Sequence, residues 1–176
     1  MKPIVFYRSI SGFTEKYANM IGEELGCQVL KVEKISKTNL SDYDTIIFGG
    51  SLHAIGIIGF KELKENLPKN PDTRIFIFAV GASPDKKGLL EEIWKNNNLD
   101  EIGKDRVKLF YLRGGFNFKK LNFINKIVMG LLYLRLKSLK NRTDEEDGML
   151  KAYETPVDFV SKENIAELIA YVRKIK

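Results

Sequence analysis

What the chain lacks narrows its chemistry first. It has one cysteine, Cys27, and one histidine, His53, so its own side chains cannot supply an internal disulfide, a Cys/His zinc site or a cysteine-held iron–sulfur cluster. No metal is expected, and a reducing cytoplasm suits this composition. The amino end shows no basic stretch followed by an apolar targeting segment, and no uninterrupted apolar run approaches the roughly 20 residues of a membrane span. The spacing Gly-x-x-x-x-Gly-Lys-Ser/Thr is missing, which argues against a nucleoside-triphosphate loop. Gly-x-Gly-x-x-Gly is missing too, which argues against an adenine dinucleotide site of the usual kind. No Ser/His/Asp or Cys/His pairing stands out as a nucleophilic centre. No repeat or low-complexity linker divides the 176 residues, a length that predicts one domain over 1–176 with a sizeable core.

Acidic residues are missing from one long stretch. Between Lys119 and Arg142 every charged side chain is basic: Lys119, Lys120, Lys126, Arg135, Lys137, Lys140 and Arg142. The formal net charge is +6, so this stretch alone exceeds the whole excess and the remainder is close to neutral. Such a run attracts anionic lipid, an acidic partner or nucleic acid. Without base-stacking aromatics on a recognised module, nucleic acid is not expected.

What is present reads as alternating strands and helices. Residues 3–7, 28–32, 45–48, 74–80 and 107–112 are short apolar, β-rich runs. Between and after them, helical spacing marks residues 13–25, 60–67 and 87–96, and a last helix from about Ser161. This alternation predicts parallel βαβ units with right-handed crossovers and a sheet covered on both faces. Four of the five strands end in glycine- or serine-rich turns, which such a sheet gathers along one edge.

The first of these turns, Ser9-Ile10-Ser11-Gly12-Phe13-Thr14, joins strand to helix and is suited to a phosphate. Backbone amides, the helix dipole and three hydroxyls can converge there on a dianion without a lysine or arginine. Gly12 removes a Cβ from the approach, and Thr14 is expected both to cap the helix and to donate a hydroxyl bond. An ordinary capping turn is the competing reading. Two further turns are expected beside it: Ser51-Leu52-His53-Ala54-Ile55-Gly56, after Gly49-Gly50, and Gly81-Ala82-Ser83 before Pro84. Their main chain would meet the edge of a flat heterocycle while Leu52 and Ile55 cover its face. His53 is a candidate proton donor to that ring; a solvated turn residue is the alternative.

The first turn resembles the Ser/Thr-x-Ser/Thr-Gly-x-Thr loop of flavodoxins, which cradles the phosphate of FMN; Phe13 stands where a polar residue is common. That resemblance implies FMN as cofactor and a flavodoxin-like open doubly wound α/β sheet of five parallel strands in the order 2-1-3-4-5. It covers roughly residues 1–115 and leaves a basic, apolar insertion at 116–160 before the last helix. Residues 123–140 read as one helix, with Ile124, Ile127, Val128, Leu131, Leu132 and Leu139 on its main apolar face. Packing on its own sheet is one reading; a lid or peripheral membrane anchor through 119–142, at the inner face of the membrane, is the other. With the first turn, Gly49-Gly50-Ser51 and Gly114-Gly115-Phe116, this layout resembles the flavodoxin-domain protoporphyrinogen oxidase family. The resemblance implies a porphyrinogen substrate and a quinone acceptor such as menaquinone, with Arg113, Lys119 and Lys120 as carboxylate partners. An electron carrier that docks to a redox-protein partner, or an FMN-dependent quinone reductase, is the alternative.

Overall fold

The five apolar runs pair edge to edge as parallel strands. A computed structural model of the chain describes residues 1–121 and 123–174. Strand β1 (Pro3–Arg8) lies between β2 (Gln28–Lys31) and β3 (Thr45–His53); β5 (Arg74–Gly81) and β6 (Val107–Arg113) extend the sheet beyond β3. The order is β2-β1-β3-β5-β6, all parallel, with a two-residue β4 (Gly56–Ile57) folded back antiparallel on β3. Counting the parallel strands alone, this is the expected 2-1-3-4-5.

Two apolar layers follow from side chains alternating across each strand. Ile4, Phe6, Ile46, Phe48, Ile75 and Ile77 point to one face, where Phe60 and Leu63 of α2 (Phe60–Asn66) and Ile93 of α3 (Leu89–Asn96) cover them. Val5, Ile47, Phe76, Phe78 and Phe110 point to the other, under α1 (Phe13–Leu25) and α6 (Ala166–Lys174). The last helix starts later than expected. A 3₁₀ turn at Glu163–Ile165, capped by Lys162 with no side-chain bond, precedes it.

Gly49 and Gly50 do not end a strand. β3 continues to His53, and the two glycines lie mid-sheet, where a Cβ on Gly49 would sit 2.0 Å from the Phe78 ring and one on Gly50 2.3 Å from Ile57. Packing across the sheet therefore sets their identity, and the reversal of the chain falls at Ala54 and Ile55.

The 116–160 segment folds on a base of its own. β7 (Gly115–Phe116) pairs antiparallel with β8 (Val157–Asp158), and between them stand α4 (Phe123–Ser138) and α5 (Asp144–Glu154). Thr143 and Glu146 form a reciprocal capping box that starts α5, so the acidic run after Arg142 opens a helix. Rings of Phe116, Phe118 and Tyr133 surround Tyr153 at centroid distances of 5.0–5.3 Å, and the Tyr153 hydroxyl donates to the Met129 carbonyl at 2.7 Å. These contacts select the face of α4 that packs. Leu136 is buried, Met129, Leu132 and Tyr133 are half-buried, and the face expected to pack exposes Ile127, Val128 and Leu131.

Replacing Gly49 by Ala is expected to destabilise the fold by about 1–3 kcal/mol, the usual cost of overpacking a full core. Urea unfolding of the variant, with an unchanged m-value, measures it.

Candidate functional site

The β1–α1 turn is stitched to the end of β3 by hydroxyl groups. The Ile10 amide donates to Ser51 Oγ at 3.2 Å, and Ser51 Oγ lies 2.9 Å from Thr14 Oγ1. The Gly12 amide donates to Ser9 Oγ at 3.0 Å. Thr14 is fully buried and Ser51 nearly so, which places the Thr14 hydroxyl inside the stitch. Thr14 is not the cap. Gly12 takes that position in the left-handed region, φ 92°, with open space where a Cβ would be.

Helix geometry leaves donors at this end. The first helical bond runs from the Lys16 amide to the Gly12 carbonyl, 3.0 Å, so the amides of Phe13, Thr14 and Glu15 belong to the first turn, which has no intrahelical acceptor. The helix dipole adds partial positive charge at the same place. Behind the turn, the Tyr7 hydroxyl donates to Glu15 Oε1 at 2.5 Å, and burial first, then the Glu15 carboxylate, pushes the Tyr7 pKa up to about 12.

A cavity of about 210 Å³ opens beside the turn. Ile10, Ser11 and Phe13 form one wall, and Ser51, Leu52 and His53 form the next. Val80, Gly81 and Ala82 at the end of β5 form the third. The fourth, for which the lid reading of the insertion named no site residues, comes from Gly115, Phe116, Asn117, Leu121, Asn125 and the pair Val128–Met129. Gly115 makes this wall close tightly, since a Cβ there would meet the Phe13 ring at 2.8 Å. The signal for it in the sequence was an insertion helix apolar on more sides than one face of a sheet requires.

Several expected site residues lie elsewhere. Ser9, Gly12 and Thr14 do not line the cavity themselves; they shape the turn whose Ser11 and Phe13 do. Ala54, Ile55 and Gly56 lie at the hairpin beyond His53, and Ile55 packs on the core instead of covering a ring. Ala54 and Ile55 both have positive φ, 46° and 72°, a conformation that costs about 1–2 kcal/mol for each non-glycine residue. Asn97 holds that turn: its amide donates to the Ile55 carbonyl at 2.9 Å and its oxygen accepts the Ile57 amide at 2.8 Å. The carbonyl of Ser83 accepts the Tyr111 hydroxyl at 2.5 Å, away from the cavity. Arg113 stacks on Phe159, 3.6 Å from the ring centroid, and lines a separate hollow with Asp85, Tyr111 and Asn164. Lys119 is exposed on a 3₁₀ turn outside the cavity, and the side chain of Lys120 lies outside the described residues. Among the described residues no group of His, Cys, Asp and Glu is placed to hold a metal.

An open parallel sheet with helices on both faces, its first strand-to-helix turn placing amides and hydroxyls at the carboxyl edge, defines a doubly wound α/β protein. The model of the Flavodoxin domain family matches residues 4–144, and the chain belongs to that family. An uncharacterized protein of Methanocaldococcus jannaschii is 28% identical over 132 residues, covering 66% of this chain and 85% of the relative. Among solved structures, a flavodoxin from the domain Archaea is 21% identical over 74% of this chain and 96% of its own, with a TM-score of 0.47. A flavoprotein from Lactobacillus acidophilus, solved in complex with FMN, is 16% identical over 64% of this chain and 91% of its own, with a TM-score of 0.43.

The raised Tyr7 pKa has a definite sign. The folded protein holds the phenol proton more tightly than the unfolded chain, so its contribution to stability is complete below about pH 10 and is lost as pH rises toward 12. Tyr7→Phe is expected to flatten the fall in stability between those values; urea midpoints at pH 8 and pH 11 measure it.

Proposed function

We propose that this chain binds FMN and acts as a redox flavoprotein. One observation carries the reading: the amide-rich first turn and the ends of β3 and β5 meet around a single cavity. The donor set suits a phosphate. Ser9 Oγ already accepts from Gly12, so its own proton is left to donate outward, and Ser11 lines the cavity beside the first-turn amides of α1. The stitch through Thr14 and Ser51 keeps the turn and the β3 end in one register, so both halves of a ligand are met by fixed groups. Ser51 to His53 and Gly81-Ala82 would hold the ring edges, with Phe116, Val128 and Met129 as the apolar outer wall. Bound FMN supplies hydride and one-electron chemistry; the protein sets its orientation and excludes water. His53, at the cavity wall, supplies an imidazole able to donate or accept a proton there.

The insertion favours an enzyme over a carrier. A carrier needs a flavin edge open to a protein partner, whereas Asn125, Val128 and Met129 of α4 close one side of this cavity and leave an apolar approach suited to a small flat molecule. We propose the oxidation of a porphyrinogen, or a related apolar hydrogen donor, by a quinone. Each step would take two electrons and two protons from the donor and leave the hydroquinone. Of the cations expected to meet propionates, Lys119 remains in this reading, two residues from Asn117 in the wall. Arg113, held on Phe159, does not.

The purified chain is expected to take up one FMN, turn yellow and bind riboflavin at least about tenfold more weakly, because charge-assisted bonds to a phosphate are each worth about 1.5–3 kcal/mol. Ser11→Ala is expected to lower FMN affinity about tenfold and leave riboflavin affinity unchanged. No uptake, or equal affinities, removes the proposal. In anaerobic assays, porphyrinogen oxidation coupled to quinone reduction is expected; electron transfer to redox proteins alone would assign a carrier.

A further inference from the structure

α4 has two apolar sides, and the fold uses one. Its packed side centres on Met129, Leu132 and Leu136. On the opposite side Phe123, Ile127, Val128, Leu131 and Leu134 are each at least 50% exposed. At about 100° per residue these five fall within one arc of about 140°. Single exposed apolar residues are ordinary, but five on one helix form a patch that marks an interaction surface. Lys126 and Lys137 border one margin of the arc, and Arg135 lies just inside the other.

We propose that this face of α4 docks on the surface of an anionic lipid bilayer, with the helix axis in the plane of the interface. The 16 residues of α4 give a rod of about 24 Å, and among the described residues no helix is long and apolar enough to cross a membrane. An apolar arc with basic margins sinks its side chains to the level of the acyl chains. The lysine and arginine stems then carry their charges up to the headgroups. Charge selects this occupant over a second copy of the chain. A two-fold pairing of the same faces would bring Lys126, Lys137 and Arg135 of both copies together, and residues 119–142 hold no acid to oppose them. Docking also orients the cavity. Val128 belongs both to the exposed arc and to the cavity wall, so the bound protein presents that wall to the bilayer. The docking itself requires no cofactor, and its test is separate from the flavin reading.

The test is co-sedimentation of the full chain with phosphatidylcholine vesicles, with and without phosphatidylglycerol, at low and high salt. Binding to the anionic vesicles is expected to be at least about tenfold tighter than to the neutral ones and to weaken with salt. The double variant Ile127→Gln/Leu131→Gln, whose side chains are exposed, is expected to keep its melting temperature and bind at least about tenfold more weakly. Lys137→Glu is expected to weaken binding, and Lys95→Glu, on α3 across the sheet, to leave it unchanged. Absence of binding at low salt, equal loss in Lys95→Glu, or full binding by the double variant would overturn the proposal. So would a concentration-dependent dimer that the double variant dissolves while wild-type chain stays in the supernatant with every vesicle.

Discussion

The bond between Thr14 and Ser51 is the constraint on which the site depends. Parallel pairing sets Tyr7 beside Gly49 and Arg8 beside Gly50, which brings the β1–α1 turn level with the end of β3. The two hydroxyls, with the Ile10 amide, then lock the turn to the strand at 2.9–3.2 Å, the hydroxyl pair itself being buried. A buried hydroxyl pair of this kind holds position because separating it would strand polar groups without partners. The first-turn amides of α1 and the wall at Ser51 to His53 thus form one surface.

Backbone strain is stored on the same edge. Ala54 and Ile55 turn the hairpin in conformations that favour glycine, and the structure keeps them there through Asn97 and through Ile55 packed on the core. The hairpin holds His53 at the cavity wall from one side while the insertion closes the cavity from the other. Both devices act on walls of one cavity, and both come from segments outside the five parallel strands.

The insertion carries two roles on one helix. The face turned inward supplies Met129 and the aromatic cluster around Tyr153; the face turned outward is apolar with a basic border. A helix apolar nearly all round normally lies wholly inside a protein or against lipid. α4 does neither with its whole surface: Leu136 is buried while Phe123, Leu131 and Leu134 are exposed.

Local pattern was enough for the strands and the first turn. Apolar runs of strand length give parallel strands wherever helices separate them, and Ser9 and Gly12 after such a run form a strand-to-helix turn closed by a bond only three residues long. Tertiary structure decided the rest. The role of Thr14 depended on a partner 37 positions away, and Gly49 and Gly50 proved to be spacers against Phe78 and Ile57. Arg113 was drawn to the ring of Phe159, beyond any helical or strand period. For α4, apolar on several sides, the periodic signal named the side of Ile127, Val128 and Leu131, and the fold packed the side of Met129 and Leu136. Only the ring of Tyr153, brought in by the second helix of the insertion, made that choice.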